Sequence, residues 1–291
     1  MNNTPFPVFV CPQCKKSLTK GTKHIVCAHC HITYPIQSGI PVFLPSFHSS
    51  HIEKQIEYFK HEKHTTSFHY TYEPWQKRYV QFFLRAHVSV KGQTFIDIGT
   101  GSGYMTIELA KKGAFVIACD VTIENLLRLK HIAKQKGLDS HIRYVCSSAE
   151  SLPLSKTSLD GVIINAVLEH LEREKETISE IGRVLKKRGV LMITVPLLYR
   201  YIFPLFIPIH IVYDKKIGHL RRYSLGLLEQ KLQGWKTVSV RYSGHIDKMM
   251  KTLGNYFFRR IWDEEAIEKA DDKKSHVSVF ASNISLIAEK I

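Results

Sequence analysis

The chain has 291 residues, and its 41 Lys and Arg exceed its 26 Asp and Glu to give a formal net charge of +15. A hydrophobic content of 44% and a charged content of 23% are ordinary for a soluble globular protein, and the length allows one large core plus a small module. The excess of positive charge is compatible with RNA, an anionic membrane surface or an acidic substrate, and equally with solvated surface cations.

The amino terminus argues against a signal peptide, and the most apolar stretch argues against a membrane-spanning helix. Residues 1–5 have no basic region and lead into no long apolar region, so we expect no signal peptide. Residues 195–213 are apolar but too interrupted for a membrane-spanning helix. The interruptions are Pro196, Arg200, Pro204, Pro208 and His210. We therefore expect a cytoplasmic protein without a transmembrane segment.

Near the amino terminus, four cysteines form two C-x-x-C pairs. Twelve residues separate Cys11 and Cys14 from Cys27 and Cys30. Each pair can direct two thiolates at one ion, and four thiolates complete the tetrahedron that Zn²⁺ prefers. Disulfides or redox-active pairs are the alternative, which the cytosolic setting and the doubled motif disfavour. The pattern predicts a structural zinc site, because four protein ligands leave no open catalytic position.

The stretch Tyr-Pro-Ile-Gln-Ser-Gly-Ile-Pro-Val-Phe-Leu at residues 34–44 predicts a strand and a turn that fold over the metal. Together with the cysteines it resembles the small zinc-ribbon proteins related to the activator subunits of tRNA and protein methyltransferases. A module of this size buries too little apolar surface to fold alone, so the metal would supply folding free energy. We assign residues 1–45 to a zinc ribbon.

Residues 46–92 are expected to form a helical linker or cap. Apolar side chains recur there at helical spacing, which indicates a helix packed on the main sheet. These side chains are Trp75, Tyr79, Phe82, Phe83 and Ala86.

A glycine-rich turn follows an apolar strand at residues 94–98 and opens directly into a helical pattern. Such a turn is where α/β proteins bind nucleoside ligands. The dinucleotide spacing G-x-G-x-x-G fails, because Tyr104 occupies the third glycine position. An acidic residue and three glycines at every second position instead resemble motif I of the class I S-adenosylmethionine-dependent methyltransferases. These residues are Asp97, Gly99, Gly101 and Gly103.

Asp120 ends the second predicted strand, about twenty residues past the turn, where a carboxylate binds the ribose diol of a nucleoside. Its two oxygens match two vicinal hydroxyls. The alternative is that Asp120 only caps the helix that begins after Thr122. We assign Asp120 and the adjacent Val121 to the cofactor site.

The third predicted strand, residues 142–146, leads to Ser148, Ala149 and Glu150. The resemblance implies an Asp at the position of Ser148 that accepts a hydrogen bond from the adenine amino group. A hydroxyl still accepts, but without the assistance of a charge. We assign Ser148, Ala149 and Glu150 to the adenine side of the site.

After the fourth predicted strand, residues 159–164, the chain resembles the motif IV region of ubiquinone-biosynthesis and small-molecule methyltransferases. Asn165 begins this stretch, which continues to Glu169 and His170. The prolines that accompany methylation of exocyclic amines are missing after Asn165, which counts against that chemistry. Asn165 is assigned to the cofactor site, and a divalent-metal role for Glu169 and His170 is a weaker alternative.

From residue 93 onward, strands alternate with helices, which predicts an α/β fold. The resemblance implies a doubly wound, seven-stranded, mostly parallel sheet over residues 93–291, with residues 235–240 and 284–288 as the last two strands and the final strand reversed. It also places an aromatic cap over the cofactor just before the first strand, for which Tyr70 and Tyr72 are candidates.

An apolar insertion is expected at about residues 196–222, above the carboxyl ends of the strands. It would be a lid over an apolar substrate, a patch that contacts a membrane surface, or a cover packed on the core. The stretch that begins at Gly218 resembles one found in lipid- and quinone-related methyltransferases. If it is extended, His219, Arg221 and Tyr223 share one side.

The resemblance implies methyl transfer from S-adenosyl-L-methionine. His170, His219 and Tyr223 are the candidate catalytic residues, because an O, N or carbon acceptor needs a base or hydrogen-bond acceptor. The favoured acceptor is a small molecule or a lipid- or quinone-like compound. One alternative is an rRNA or tRNA methyltransferase that docks RNA on its zinc ribbon, and another is a cofactor-bound scaffold without turnover.

Overall fold

A small four-stranded sheet carries the cysteine motifs at the amino terminus. The computed structural model describes residues 6–44, 49–60, 69–86, 89–258 and 261–291. The strands of the small sheet, joined in chain order, are β1 (Thr19–Lys20), β2 (His24–Cys27), β3 (Ile32–Gln37) and β4 (Ile40–Pro41). All three pairings are antiparallel. We call residues 6–44 the ribbon.

A seven-stranded sheet forms the core of the rest of the described chain. Its strands are β5 (Thr94–Ile98), β6 (Phe115–Asp120), β7 (Ile142–Cys146), β8 (Leu159–Asn165), β9 (Leu185–Pro196), β10 (Trp235–Ser243) and β11 (Asn283–Lys290). Their order across the sheet is β10-β11-β9-β8-β5-β6-β7. Only β11 runs against its two neighbours, and the other pairs are parallel. The prediction of a doubly wound, mostly parallel sheet with a reversed final strand is confirmed.

Helices flank the sheet on both faces. Those in the described residues are α1 (Ser50–Lys60), α2 (Pro74–Ala86), α3 (Tyr104–Lys111), α4 (Ile123–Gln135), α5 (Glu174–Val184), α6 (Ile207–Ile217), α7 (Leu225–Lys231), α8 (Ile246–Phe257) and α9 (Glu264–Lys273). The apolar face of α2 buries Phe83 against Phe95 of β5, with ring centroids 5.7 Å apart. Ser224 caps α7, because its side chain accepts a hydrogen bond from the Leu227 amide.

Helix α5 ends at Val184, because Leu185 takes an extended backbone and pairs with Leu159 of β8. The apolar insertion forms short 3-10 turns and α6, and it only partly covers the core. Phe206 and Ile217 are buried, whereas Leu205, Ile209 and Val212 are 72%, 52% and 67% exposed.

No helix within the described ranges is both long and apolar enough to cross a membrane.

Candidate active site

A cavity of about 720 Å³ opens at the carboxyl ends of the parallel strands. The glycine turn after β5, the end of β6, residues 147–150 and the end of β8 all contribute to its wall. Parallel strands place their carboxyl ends at one edge of the sheet, which is why segments far apart in sequence meet here. This volume falls within the range of ligand sites in proteins, about 300 to 1,000 Å³.

The glycine turn needs glycine for two physical reasons. Gly99, Gly101 and Gly103 have φ angles of +66°, +48° and +77°, a region that side chains other than glycine rarely adopt. A Cβ on Gly99 would lie 2.3 Å from Val167 Cγ2, and one on Gly103 would lie 2.4 Å from Leu129 Cδ1. The turn therefore packs tightly and presents bare backbone to the cavity.

Asp97 lies in the cavity wall, and neighbouring hydroxyls hold its carboxylate. Thr100 Oγ1 and Thr106 Oγ1 donate to Asp97 Oδ2 at 3.0 and 2.7 Å. Burial raises the pKa of Asp97 to about 6, and the two threonine hydrogen bonds oppose that rise. These bonds fix the carboxylate at the base of the glycine turn, and its contact with a cofactor stays a prediction.

Asp120 links the glycine turn to the end of β6. The backbone amide of Gly101 donates to its Oδ2 at 3.0 Å and that of Thr122 to its Oδ1 at 2.8 Å, while Asn125 Nδ2 lies 3.4 Å from Oδ2. Burial raises the pKa of Asp120, and the donated hydrogen bonds oppose that effect. A carboxylate has about four acceptor positions, so room is left for a ribose hydroxyl. Val121 lies beside it in the cavity wall.

Residues 148–150 line the cavity, but their side chains are engaged differently. Ser148 Oγ accepts a hydrogen bond from the Glu150 amide at 3.2 Å, so the hydroxyl helps to shape the turn. Glu150 turns toward Arg173, whose Nη2 lies 3.0 Å from Oε2. Glu150 therefore belongs to the predicted cofactor site only as a residue of the cavity wall, because its carboxylate is bonded to Arg173. Ala149 is buried in that wall.

Aromatic side chains form another part of the cavity wall. Tyr104 and Trp75 pack edge to face with centroids 5.5 Å apart, and Trp75 packs in the same way on Tyr79 at 6.0 Å. Asn165 Nδ2 forms a hydrogen bond with the hydroxyl of Tyr104. Tyr70 also lines the cavity, and its hydroxyl donates to Glu108 at 2.8 Å. An apolar, aromatic surface of this kind favours a flat or greasy ligand.

Three titratable side chains meet at the part of the cavity wall formed by residues 169 and 170. Ligand atoms of Glu169, His170 and His219 lie within 4.8 Å of one another, a set that could also hold a metal ion. His219 Nε2 is 3.6 Å from Glu169 Oε1, and the rings of His170 and His219 pack with centroids 4.7 Å apart. Glu169 and His170 line the cavity, and His219 lies behind them. The sequence predicted His170 and His219 but gave Glu169 only a weak metal role.

Asp214 and Arg222 hold this cluster, and the sequence analysis missed both. His219 Nδ1 is 2.8 Å from Asp214 Oδ1, and Arg222 Nε and Nη2 donate to the same carboxylate at 2.5 and 2.8 Å. Asp214 is the lone acidic residue between residues 196 and 222. An isolated acid in an apolar stretch is a signal that could have identified it.

Burial changes the ionisation of the two cavity-lining groups. It raises the pKa of Glu169 to about 8, and it lowers the pKa of His170 to about 3 with help from His219. Glu169 Oε2 and His170 Nδ1 are buried without a hydrogen-bond partner among the described residues. With its pKa lowered to about 3, His170 is a neutral imidazole at neutral pH.

Tyr223 and Arg221 lie apart from this cluster, so the structure does not bring His219, Arg221 and Tyr223 together as predicted. Tyr223 is 1% exposed, and its hydroxyl donates to Glu174 Oε2 at 2.8 Å. Arg221 Nη1 lies 3.6 Å from the same carboxylate and donates to the Leu171 carbonyl at 2.6 Å. Neither residue is part of the cavity wall. Their contacts support a structural role.

The four cysteines of the ribbon fit a tetrahedral metal site. Their sulfur atoms all lie within 4.8 Å of one another, with Cys11 to Cys30 at 4.0 Å and Cys14 to Cys27 at 3.6 Å. Zinc–thiolate bonds of about 2.3 Å in a tetrahedron place sulfur atoms about 3.8 Å apart. These distances are much longer than a disulfide bond of about 2.05 Å, so the arrangement does not fit the disulfide alternative. The set has no open position for catalysis.

Comparisons with known proteins agree with this architecture. Residues 96–193 match the family model described as a methyltransferase domain. The mitochondrial ubiquinone biosynthesis O-methyltransferase of Mus musculus is 34% identical over 107 residues, which are 36% of this chain and 29% of that protein. The tRNA 5-carboxymethoxyuridine methyltransferase of Escherichia coli K12 is 29% identical over 97 residues, which are 33% of this chain and 37% of that protein. The chain thus spans about a third of the length of these relatives.

A solved structure extends the likeness beyond the matched segment. Geranyl diphosphate C-methyltransferase from Streptomyces coelicolor A3(2), solved with Mg²⁺, geranyl diphosphate and S-adenosyl-L-homocysteine, superposes with a TM-score of 0.61 at 14% identity. The superposition covers 84% of this chain and 99% of that one, so the likeness is one of fold. The matched segment contains the glycine turn, Asp120 and His170. The core of this chain is a class I S-adenosylmethionine-dependent methyltransferase domain.

Proposed function

We propose that the protein transfers a methyl group from S-adenosyl-L-methionine to a small, largely apolar acceptor of the lipid or quinone type that bears an acidic hydroxyl or carbon. One observation carries the proposal. A single cavity is lined by the glycine turn and Asp120, by the aromatic side chains of Trp75, Tyr79 and Tyr104, and by His170. The glycine turn and Asp120 fit a nucleoside, and the aromatic side chains and His170 fit an apolar group with one proton to lose.

The chain would hold the cofactor with three segments. The bare backbone of the glycine turn lies where the methionine part fits, Asp120 accepts from the ribose hydroxyls, and Ala149 packs against the adenine. When bound, the cofactor supplies an activated methyl group on a positively charged sulfur. The protein's main task is therefore to align the acceptor and exclude water.

The histidine cluster would take the acceptor's proton. His170, a neutral imidazole in the cavity wall, would accept the proton of the acceptor hydroxyl while the methyl group passes from the cofactor's sulfur to the oxygen. The imidazolium that results lies next to Glu169 and to the ring of His219, which Asp214 orients through Nδ1. The ionised carboxylate of Asp214 favours the charged form of the His170 imidazole while it carries the proton.

The same cavity wall argues for a small acceptor. Tyr79, Trp75 and Tyr104 form a nearly continuous aromatic surface, which suits a ring or a prenyl-like chain. The exposed apolar side chains of the insertion, such as Ile209 and Val212, lie on the chain segment that also contains Asp214. A lipid-like acceptor would therefore meet apolar surface outside the cavity as well as inside it.

An RNA acceptor is the second candidate. A net charge of +15 supports it, as does the similarity to a tRNA 5-carboxymethoxyuridine methyltransferase. The third candidate, a scaffold that binds the cofactor without turnover, has no specific observation in its favour.

Incubation of the purified protein with labelled S-adenosyl-L-methionine and a cell lysate separates these candidates. The lysate is then divided into lipid, small-molecule, RNA and protein fractions. We expect label in the lipid or small-molecule fraction, and less of it with the His170→Ala variant. Label confined to RNA, together with salt-dependent RNA binding, would establish the second candidate. Cofactor binding without label in any fraction would establish the scaffold.

A further inference from the structure

The ribbon holds both ends of the cavity segment that faces the adenine. Residues 147–150 line the cavity, and the ribbon contacts the chain at residue 146 on one side and at residues 151–153 on the other. We infer that the ribbon is a brace for the cofactor pocket, so that metal loading of the four-cysteine site raises the affinity for the nucleoside cofactor. This inference rests on the proposed function, because it requires the cofactor to occupy the cavity.

The first anchor lies at the end of β7. The backbone amide of Phe43 donates to the Cys146 carbonyl at 2.7 Å, and Val42 forms a parallel bridge with the same residue. The ribbon's tail thus adds a short piece of chain to the edge of the main sheet. Cys146 is the last residue before the cavity segment, so this contact fixes where the segment begins.

The second anchor lies at residues 151–153. Ser151 Oγ donates to the Pro12 carbonyl at 2.5 Å, and the backbone amide of Val10 donates to the Pro153 carbonyl at 3.0 Å. Lys15 Nζ donates to the Leu152 carbonyl at 3.3 Å. The four cavity residues between the anchors therefore have little freedom to move as a unit.

Lys15 links the second anchor to the main domain by an ion pair. Its Nζ is 2.7 Å from Glu180 Oε2 of α5 and 3.3 Å from Ser151 Oγ. Arg183 also donates to Glu180 and to the Leu152 carbonyl at 3.0 Å, so Lys15 belongs to a small polar network. Such a network holds backbone in one arrangement better than an isolated surface pair does.

Both anchors depend on the metal site. Pro12 lies inside the first cysteine pair and Lys15 just after it, and the Lys15 amide donates to the Cys11 carbonyl at 2.8 Å. The hydroxyl of Tyr34 is 3.4 Å from Cys11 Sγ, and its ring packs on Phe43 with centroids 5.0 Å apart. A change in the metal site therefore reaches the first anchor through the rings of Tyr34 and Phe43. It reaches the second anchor through the backbone turn from Cys11 to Lys15.

The ribbon would act by keeping residues 147–150 ordered before the cofactor binds. A ribbon of this size needs its metal to fold, so metal loss would release both anchors. Cavity residues 147–150 would then have to be ordered when the cofactor binds, at a cost to its affinity. Coupling between two sites in one protein is commonly worth about 5- to 150-fold in affinity.

The first experiment compares S-adenosyl-L-homocysteine binding by the zinc-loaded full chain and by the chain stripped with a chelator. We expect the dissociation constant from calorimetry to rise by about tenfold on stripping. Amide hydrogen exchange at residues 147–150 should accelerate at the same time. Equal affinity and equal exchange in the two forms would overturn the brace. Failure of the zinc-loaded chain to bind S-adenosyl-L-homocysteine would instead contradict the proposed function.

The second experiment keeps the metal and cuts one anchor. Lys15→Ala should retain its zinc and weaken S-adenosyl-L-homocysteine by about threefold, with faster exchange at residues 147–150. Lys16→Ala is the matched control, because Lys16 is an exposed lysine of the same turn. An unchanged dissociation constant and unchanged exchange in Lys15→Ala would contradict the inference, even if stripping had unfolded the ribbon.

Discussion

Nε2 of His219 lies 3.6 Å from Oε1 of Glu169, while Nδ1 of the same ring faces Asp214 at 2.8 Å. The ring thus connects two carboxyl groups, of which that of Glu169 lines the cavity and that of Asp214 is paired with Arg222. A histidine whose Nδ1–H is given to a carboxylate keeps its Nε2 lone pair available. This arrangement fixes both the tautomer and the direction of the ring behind His170.

Replacing Asp214 by Asn should lower the turnover number and leave cofactor affinity unchanged. The amide can accept from Arg222, but it cannot hold the His219 ring in one tautomer as a carboxylate does. Because His219 acts through the groups that line the cavity, we expect a loss of about ten- to a hundredfold in kcat. Steady-state kinetics on the acceptor found in the labelling experiment would measure it.

The matched control for this prediction is Tyr199→Phe. The Tyr199 hydroxyl donates to Asp214 Oδ2 at 2.6 Å, whereas His219 bonds Oδ1, so the control removes a neighbour of the carboxylate without freeing the ring. Its kcat should stay within about threefold of the wild type. An equal loss in both variants would show that general disorder of the insertion, and not the tautomer of His219, lowers the rate.

Glu169 should make the protein less stable as the pH rises. Burial raises its pKa from 4.5 to about 8, so between these values the folded state binds a proton that the unfolded chain has released. The contribution is fully present below about pH 4.5 and is lost as the pH rises through about 8. Between about pH 6 and about pH 9, the wild type should lose about 2 kcal/mol more unfolding free energy than Glu169→Gln.

Urea unfolding at the two pH values tests the prediction, with Glu176→Gln as the control. Glu176 is an exposed glutamate at the start of α5, so its replacement should leave the pH dependence of the wild type intact. Parallel curves for the wild type and Glu169→Gln would mean that Glu169 is already ionised in the folded protein at neutral pH.

The sheet could be predicted because its signals are local. The apolar strand before Gly99, the strand that ends at Asp120 and the turn residues between elements each act over a few positions, and the observed bounds of β5 and β7 agree with the predicted ones. The side of the sheet on which ligands bind follows from parallel strand direction alone. Resemblance to one family supplied the count of seven strands and the reversed final strand.

The contacts around Asp214 and Lys15 could not be predicted in this way. Lys15 meets Glu180 across 165 residues of sequence, and His219 meets Glu169 only because the insertion folds back on the end of β8. No periodicity in a short window encodes such pairs. The sequence pattern also predicted a neighbour that the structure does not show. Two-residue alternation places Tyr223 beside His219, although its hydroxyl bonds Glu174.

Gly99→Ala should destabilise the fold by about 3 kcal/mol. A left-handed backbone costs a non-glycine residue about 1 to 2 kcal/mol, and overpacking against Val167 adds about 1 to 3 kcal/mol. Gly137→Ala is the control for strain alone, because Gly137 has a φ of +67° and nothing within 4 Å of an added Cβ. It should cost only about 1 kcal/mol in urea unfolding.

A second replacement separates the two causes at Gly99. Adding Val167→Ala to Gly99→Ala removes the close approach of 2.3 Å but leaves the φ of +66°. Relative to Val167→Ala alone, the double variant should then lose about as much stability as Gly137→Ala does. If the full loss persists in that background, backbone strain and not packing against Val167 dominates at this turn.

Asp120→Asn should weaken S-adenosyl-L-homocysteine by about ten- to a hundredfold, since hydrogen bonds to a charged group contribute about 1.5 to 3 kcal/mol. The amide would also set its NH₂ group against one of the backbone donors, Gly101 or Thr122, that the carboxylate now accepts from. Asp139→Asn, at an exposed position before β7, is the control and should bind normally. Calorimetry of both variants decides whether Asp120 binds ribose or only caps α4, because a pure cap would lower the melting temperature and leave the dissociation constant unchanged.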